Sequence, residues 1–196
     1  MMANGLHEVP PGKVAMVVTH LEMSSPARLR GGSLPDGTRF RQVDADVVWF
    51  RDVFDRVGRP WLWYGRETLT DDALAAILSD PGVMHYTLEK DGRDEALLEL
   101  DFREDGACEL AYFGLTSALI GTGAGGYLMD RAIDLAWSAP ITRFHVHTCT
   151  FDSPQALGFY IRSGFTPYKQ QVEIDDDPRL TGVLAKGSAP HIPIIR

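Results

Sequence analysis

The spacing of apolar residues divides the chain into predicted strands and helices. Runs rich in β-branched and apolar residues, each followed by turn-forming residues, predict strands over 13–23, 83–89, 96–102, 108–115, 143–150 and 165–174. Apolar residues at intervals of three and four predict helices from Val47 to Gly58, after Thr70, over 123–137 and over 154–163. Gly, Pro and Ser are frequent in residues 24–37, which we predict to form a loop.

The order of these elements indicates the fold class. Asp91-Gly92 and Asp105-Gly106 separate three consecutive strands, and such pairs are typical of tight hairpins. The sequence therefore predicts an antiparallel meander followed by a helix–strand–helix–strand segment, an α/β (α+β) arrangement. We expect one domain over 13–174, a flexible N-terminal segment over 1–12 and a loosely held C-terminal tail over 175–196.

Composition limits the classes of function. The 196 residues are 44% hydrophobic and 23% charged, with a formal net charge of −8, as in an ordinary globular protein. The excess of acidic residues disfavours general binding to nucleic acids and anionic membranes. Two cysteines without a framework spacing fit a reducing compartment. The sequence shows neither a signal-peptide pattern nor an apolar run of about 20 residues, so we expect a cytoplasmic protein.

A glycine-rich loop is the most informative stretch of the sequence. Gly121, Gly123, Gly125 and Gly126 lie between a predicted strand and a predicted helix. Glycine lets several backbone N–H groups converge on one phosphate, and the helix dipole adds positive potential. The loop also spells the dinucleotide pattern G-x-G-x-x-G, but the strand over 143–150 offers no acid for a ribose. The loop has no P-loop lysine either, which leaves a phosphate site or a plain packing turn.

The helix predicted over 154–163 is the second informative stretch. Ser153 can cap this helix, and Gly164 can end it in the left-handed conformation. Ala156 and Tyr160 are four residues apart, so they share one helix face. Tyr160 is either a core residue or a group that faces a ligand.

Together the two stretches resemble the signatures of the GNAT superfamily of N-acetyltransferases. The segment from Ile120 to Gly125 is similar to (Gln/Arg)-x-x-Gly-x-(Gly/Ala) at every place but the first. The second signature is Asn-x-x-Ala-x-x-x-Tyr-x-x-x-Gly-Phe, and the residues that match it in register are Ala156, Tyr160, Gly164 and Phe165. The resemblance covers residues 83–169. It implies a GNAT-like acyl-CoA N-acyltransferase fold, with a mixed, mostly antiparallel central sheet and helices on both faces.

The resemblance implies an acetyl-CoA site between the strands that end at Leu115 and Thr150. The loop would contact the phosphates, strand backbone would pair with the pantetheine arm, and the Tyr160 hydroxyl would donate to the departing thiolate. The implied cofactor-binding residues are Phe113, Gly114, Leu115, Ile120, Gly121, Thr122, Gly123, Ala124, Gly125, Gly126, Ser153, Ala156 and Tyr160. Ile120 stands where Arg or Gln is usual, and Ser153 stands where Asn is usual, so both contacts differ in this chain.

The implied activity is transfer of an acetyl group to a primary amine of a small molecule by direct attack. The alternative is a non-catalytic module that binds and senses acyl-CoA. An alkylamine with a pKa of ~10.4 is only about 1 part in 2,500 neutral at pH 7, so the reaction needs a general base. The resemblance favours Glu109, with Glu99 and Asp101 as substitutes. A solvated glutamate is the competing interpretation of Glu109.

The expected acceptor pocket consists of Trp63, Tyr64, Arg66 and Glu99. Aromatic side chains can bind a cationic amine, although most tryptophans are core residues. The residues His145, His147 and Cys149 face one side of a strand, but three local ligands do not by themselves indicate zinc. A proton relay through either histidine stays open. We expect acetyl-CoA and an amine acceptor as partners, with no metal, nucleic acid or membrane, and a homodimer is left open.

Overall fold

Eight strands and five helices build the fold of residues 3–196, the part of the chain that this computed structural model describes. Met1 and Met2, where the expected N-terminal segment starts, lie outside the described residues. The strands are β1 (Lys13–Met23), β2 (Thr38–Val43), β3 (Val83–Lys90), β4 (Arg93–Asp94), β5 (Ala96–Asp101), β6 (Ala107–Leu115), β7 (Arg143–Cys149) and β8 (Thr166–Asp176). The helices are α1 (Val47–Gly58), α2 (Asp71–Leu78), α3 (Ala124–Trp137), α4 (Ala156–Arg162) and α5 (Pro178–Thr181).

All the strands belong to one sheet. Its order is β2-β3-β5-β6-β7-β1-β8, and the short β4 pairs with β3. Every neighbouring pair is antiparallel except β6 and β7, so the predicted mixed, mostly antiparallel sheet is confirmed. Strand β2 has no counterpart among the predicted elements, because most of its residues are polar and only Phe40 packs against the core.

Helices cover both faces of the sheet, as predicted. On one face α3 and α4 contribute Leu128 and Tyr160 to the larger core. On the other face α1 and α2 contribute Phe54 and Leu74 to a second core, which includes Leu97 of β5. The central strand β5 is buried along its whole length because both of its faces are covered. No helix among residues 3–196 is long and apolar enough to cross a membrane.

Strands β6 and β7 separate soon after they meet. Their parallel pairing joins residues 107–109 only to residues 143–145. Just beyond this point, Ala111 is an extra residue in β6, between the two residues that pair with Leu100 and Glu99. A bulge bends the strand that carries it and increases its twist. The bend accompanies the separation of β6 from β7, and a cleft opens between the two strands.

The C-terminal segment packs on the domain, in contrast to the loose tail expected over 175–196. Strand β8 continues to Asp176. Arg179 is buried, with Nη2 2.7 Å from the Asp177 carboxylate and Nη1 donating to the Ile192 carbonyl at 2.8 Å. Because a buried guanidinium requires several acceptors, it holds the segment in place. Polar composition alone does not reveal such an anchor.

Candidate active site

A cavity of about 710 Å³ occupies the cleft between β6 and β7. Its walls come from the second half of β6, the glycine loop before α3, the start of α4, the segment that follows α1, and one side of β8. Sites for small molecules and cofactors have volumes of ~300–1,000 Å³. The cavity therefore has the size of a typical ligand site, and it is the candidate active site.

The glycine loop presents unpaired amide groups to this cavity. Gly121 and Gly123 have φ angles of 81° and 90°, in the left-handed region that favours glycine. A Cβ atom at either position would meet nothing within 4 Å, so packing does not explain these glycines. In the described part of the chain, the amides of Gly121, Gly123 and Gly125 have no hydrogen-bond acceptor. This arrangement at the N-terminus of α3 fits an anionic group.

Not every residue of the loop reaches the cavity. Ile120 lines the cavity and its side chain is 55% exposed. Thr122 and Ala124 do not line it. The Thr122 hydroxyl donates to the Leu119 carbonyl at 2.8 Å, and Ala124 is buried in the larger core. These two residues were predicted to contact the cofactor, but they instead stabilise the loop on the side that faces away from the cavity.

Helix α4 carries the second predicted group of site residues. Ser153, Ala156 and Tyr160 all line the cavity. The helix begins at Ala156 and not at residue 154, because the Ser153 carbonyl first closes a turn by accepting from the Ala156 amide at 2.8 Å. The Ser153 side chain does not cap the helix. Gly164 has a φ of 103° just after the helix, in agreement with the predicted left-handed end.

Tyr160 is the least exposed polar group of the cavity wall. Only 7% of the residue is exposed, and its hydroxyl has no hydrogen-bond partner among the described residues. Burial raises the pKa of this phenol well above its ordinary value. The Tyr160 hydroxyl therefore stays protonated and is available to donate to a ligand.

The predicted β6 residues Phe113, Gly114 and Leu115 also line the cavity. Gly114 does not form the bulge; a Cβ atom there would overlap Val57 of α1 and lie 3.2 Å from the Trp63 ring. Glycine is therefore required for the close packing of α1 and Trp63 on β6. Beyond residue 109 the cleft side of β6 has no strand partner.

Two of the four predicted acceptor residues line the cavity. The Trp63 indole N–H donates to Asp152 at 2.9 Å, and the Tyr64 hydroxyl donates to Asp175 at 2.9 Å. Burial and the neighbouring Asp175 carboxylate raise the pKa of Tyr64 above its ordinary value. Both aromatic side chains are therefore held by carboxylates that also line the cavity. Glu173 of β8 adds a third carboxylate to this wall.

Arg66 and Glu99, the other two, lie together behind the wall. Glu99 is fully buried, with its carboxylate 2.5 Å from Arg66 and 3.2 Å from His85. The Arg66 guanidinium also lies over the Tyr112 ring at 5.3 Å. Neither Arg66 nor Glu99 lines the cavity. Their predicted assignment to the acceptor pocket is therefore corrected. The Arg66 guanidinium and the Glu99 carboxylate pair with each other inside the fold and do not reach the cavity.

The predicted base Glu109 reaches the cavity only through a histidine. Its Oε1 lies 3.3 Å from Nδ1 of His147, and His147 lines the cavity whereas Glu109 does not. The carboxylate raises the pKa of His147, and the imidazole in turn lowers the pKa of Glu109. The substitute base Asp101 is paired with Arg103. The group that faces the cavity is thus the His147 imidazole.

Comparison with known proteins identifies the fold. No family model and no curated protein matches the sequence. A GCN5-related N-acetyltransferase from Sphaerobacter thermophilus matches over 86% of this chain and 53% of its own, with 12% identity and a TM-score of 0.62. One from Kribbella flavida matches over 87% and 63%, with 18% identity and a TM-score of 0.52. This chain has the GNAT fold.

A third GNAT-fold match is an aminoglycoside acetyltransferase from an uncultured soil metagenomic sample. It covers 70% of this chain and 94% of its own, with 12% identity and a TM-score of 0.56. The chain spans less than two thirds of the length of the first two proteins.

Within this GNAT fold, three acidic cavity residues were not assigned from the sequence: Asp152, Glu173 and Asp175. Glu173 and Asp175 are two residues apart in the last strand, so they share a face. The two acidic residues on one face of this strand were the sequence signal that could have indicated an acidic wall. Asp152 lies directly before Ser153, the first position of the second signature, so no signature position marks it.

Proposed function

We propose that the protein is an N-acetyltransferase that moves the acetyl group of acetyl-CoA to a primary amine of a small, cationic acceptor. The observation that carries this proposal is the cleft between β6 and β7. It joins the unpaired amides of the glycine loop to the unpartnered hydroxyl of Tyr160 in one cavity. The loop amides would bind the diphosphate of acetyl-CoA at one end of the cavity, and the Tyr160 hydroxyl would contact the thioester sulfur at the other.

The residues present fit acetyl-CoA, which supplies an activated acetyl group when bound. The amides of Gly121, Gly123 and Gly125 would bind the diphosphate. The free backbone of β6 from Phe113 to Leu115 would pair with the pantetheine arm, as an added strand pairs with a sheet edge. Ser153 and Ala156 would contact the arm from the opposite wall.

His147 would take the proton that the amine must lose. At pH 7 the neutral fraction of an alkylamine is small, equivalent to roughly 4.6 kcal/mol. The Glu109 carboxylate contacts Nδ1 of His147, which leaves Nε2 to accept a proton directly or through one water. In this mechanism His147 is the catalytic base and Glu109 positions it.

Direct attack fits the remaining groups of the cavity. The amine nitrogen forms a bond to the acetyl carbon, the carbon–sulfur bond breaks, and the amine proton goes to His147. Backbone N–H groups of β6 would stabilise the negative charge on the thioester oxygen, and the Tyr160 hydroxyl would donate to the departing thiolate. Burial raises the pKa of the Cys149 thiol to about 11, so Cys149 stays protonated and is a poor nucleophile.

The charge of the acceptor wall supports a cationic substrate. Asp152, Glu173 and Asp175 line it, and the aromatic rings of Trp63 and Tyr64 lie among them. Carboxylates and aromatic faces both attract ammonium groups. An acceptor with a second cationic group could bind a carboxylate with that group while its reacting amine lies near His147.

An acetyl-transfer screen tests the proposed function. Purified protein is incubated with acetyl-CoA and a panel of mono-, di- and polyamines, amino acids and neutral amines, with thiol release as readout. We expect turnover with cationic acceptors that carry a second positive charge. Glu173→Gln should raise the KM of such an acceptor about tenfold and leave the KM of acetyl-CoA unchanged. Binding of acetyl-CoA without turnover of any amine would instead favour the acyl-CoA-sensing alternative.

A further inference from the structure

The glycine loop alone carries too little positive charge for a diphosphate. Each phosphate brings about one negative charge, whereas a helix N-terminus supplies only about half of one positive charge. Residues 115–126 contain no Lys or Arg, and the protein has a net charge of −8. If the loop binds the diphosphate as proposed above, a cation from another part of the chain should complete the site.

Arg162 of α4 lines the cavity, but Arg30 is the cation that the fold places against Gly126 of this loop. Arg30 lies in the segment between β1 and β2, far from the loop in sequence. Its Nη1 would be 3.3 Å from a Cβ atom on Gly126, and its Cζ lies 5.1 Å from the centre of the Phe159 ring. Gly126 and Phe159 both line the cavity. Arg30 itself does not line the cavity, but its guanidinium contacts two residues that do, beside the first turn of α3.

The local contacts fix the orientation of this guanidinium. Nη2 donates to the hydroxyl of Ser163, the residue that follows α4, and the guanidinium lies over the Phe159 ring. The amide of the next residue, Gly31, donates to the Asp130 carboxylate of α3 at 2.8 Å. The segment is thus attached to the helix whose N-terminus would bind phosphate. Arg30 has no carboxylate partner among the described residues, and its remaining N–H groups are available.

We propose that Arg30 binds the diphosphate of coenzyme A together with the glycine loop. This assignment rests on the proposed function. A planar guanidinium with several donors suits phosphate oxygens better than a single ammonium does. The loop then supplies backbone donors, and Arg30 supplies the charge that the loop lacks.

Calorimetric titration of the full chain with three ligands tests this assignment. Coenzyme A has the diphosphate and a 3′-phosphate, dephospho-coenzyme A has only the diphosphate, and pantetheine, measured by displacement, has no phosphate. Arg30→Ala should weaken coenzyme A and dephospho-coenzyme A equally, by about tenfold, and leave pantetheine unchanged. Arg30→Lys should recover part of the loss. Arg28→Ala is the matched control, since Arg28 lies in the same segment without a charged partner among residues 3–196.

The other outcomes distinguish a failure of the Arg30 assignment from a failure of the proposed function. A loss for coenzyme A but not for dephospho-coenzyme A would place Arg30 at the 3′-phosphate and overturn the assignment. An equal loss with Arg28→Ala, or a loss for pantetheine, would overturn it too, as would full affinity in Arg30→Ala. If the unmodified protein binds no coenzyme A, the proposed function itself fails. Circular dichroism melting of each variant checks that the fold is retained.

Discussion

The two halves of the cavity are built in different ways. The donor half, around the glycine loop and β6, consists largely of backbone amides and small residues from one stretch of the chain. The acceptor half takes its side chains from several separate elements, which are Trp63, Tyr64, His147, Asp152, Glu173 and Asp175. A backbone site within one stretch leaves a recognisable sequence pattern. A side-chain site assembled by the tertiary fold leaves none.

This difference predicts which substitutions separate turnover from cofactor affinity. Changes in the acceptor half should reduce turnover while the protein still binds acetyl-CoA. Changes of side chain in the donor half should matter little unless they alter the backbone. Tyr160 and Arg30 are the exceptions on the donor side, because Tyr160 would act through its hydroxyl and Arg30 through its guanidinium.

Replacement of the proposed base should have the largest effect. In His147→Gln, kcat/KM should fall by about 10²- to 10⁴-fold, because a general base contributes on this order. The affinity for coenzyme A should not change, since the imidazole belongs to the acceptor half. Thiol-release kinetics and calorimetry measure the two quantities.

The neighbouring histidine supplies a matched control. His145 lies two residues earlier in β7 and contacts Glu104 at 3.3 Å, as His147 contacts Glu109. It does not line the cavity, so His145→Gln should keep its activity. Equal losses in both variants would assign the effect to strand β7 and not to proton transfer.

The sequence was sufficient for most of the fold. The hairpin turns at Gly92 and Gly106 and the apolar runs predicted the central meander, and the structure confirms it. Strand β2 was missed because Phe40 is the one member that packs against the core. The buried Arg179 anchor was missed because its partners are mostly backbone carbonyls of its own segment, which carry no sequence signal.

For the site, the sequence could predict the donor half and little of the acceptor half. Gly121 and Tyr160 follow spacings that depend on a local loop and helix, and both line the cavity. The partnership of Glu109 with His147 depends on the register between β6 and β7, which periodicity does not specify. The pairing of Arg66 with Glu99 likewise depends on how the segment after α1 crosses the sheet.

Loss of the Tyr160 hydroxyl should have the second-largest effect. In Tyr160→Phe, kcat should fall by about 10- to 100-fold, the value of a hydrogen bond to a charged group, while coenzyme A binds normally. Single-turnover acetyl transfer measures this. Tyr168→Phe is the control, because Tyr168 lies on β8 outside the cavity. Full activity in Tyr160→Phe would remove this residue from the mechanism and make the division between the halves complete.

The third prediction concerns the pH dependence that Glu109 imposes on His147. Charged or titratable groups near His147 are Glu109, Asp152, Glu173 and His20, and Glu109 has the largest effect. It raises the pKa of His147 above the ordinary value of ~6.5. Activity requires the neutral imidazole, so kcat/KM should rise with pH through this raised pKa. In Glu109→Gln the rise should move to lower pH.

The control for this shift is the second glutamate–histidine pair, Glu104 with His145 of β7. Glu104 contacts His145, so Glu104→Gln should leave the pH profile unchanged. The measurement is kcat/KM for acetyl transfer at saturating acetyl-CoA between about pH 5 and 9. A profile that stays fixed in Glu109→Gln would show that another group titrates, and the loss of the Glu109 contact would then be structural.

The smallest effect is expected at Ile120. The donor half consists largely of backbone amides, so substitution of this side chain should change cofactor affinity little. The Ile120 side chain carries no charge and is 55% exposed, so Ile120→Ala should change the Kd of coenzyme A by less than about threefold. Gly123→Ala in the same loop should differ, because its φ of 90° costs an L-residue about 1–2 kcal/mol and relaxation would displace the amides. Calorimetric titration compares the two variants. A tenfold loss at Ile120 with no loss at Gly123 would mean that the backbone amides of the loop do not bind the cofactor phosphates.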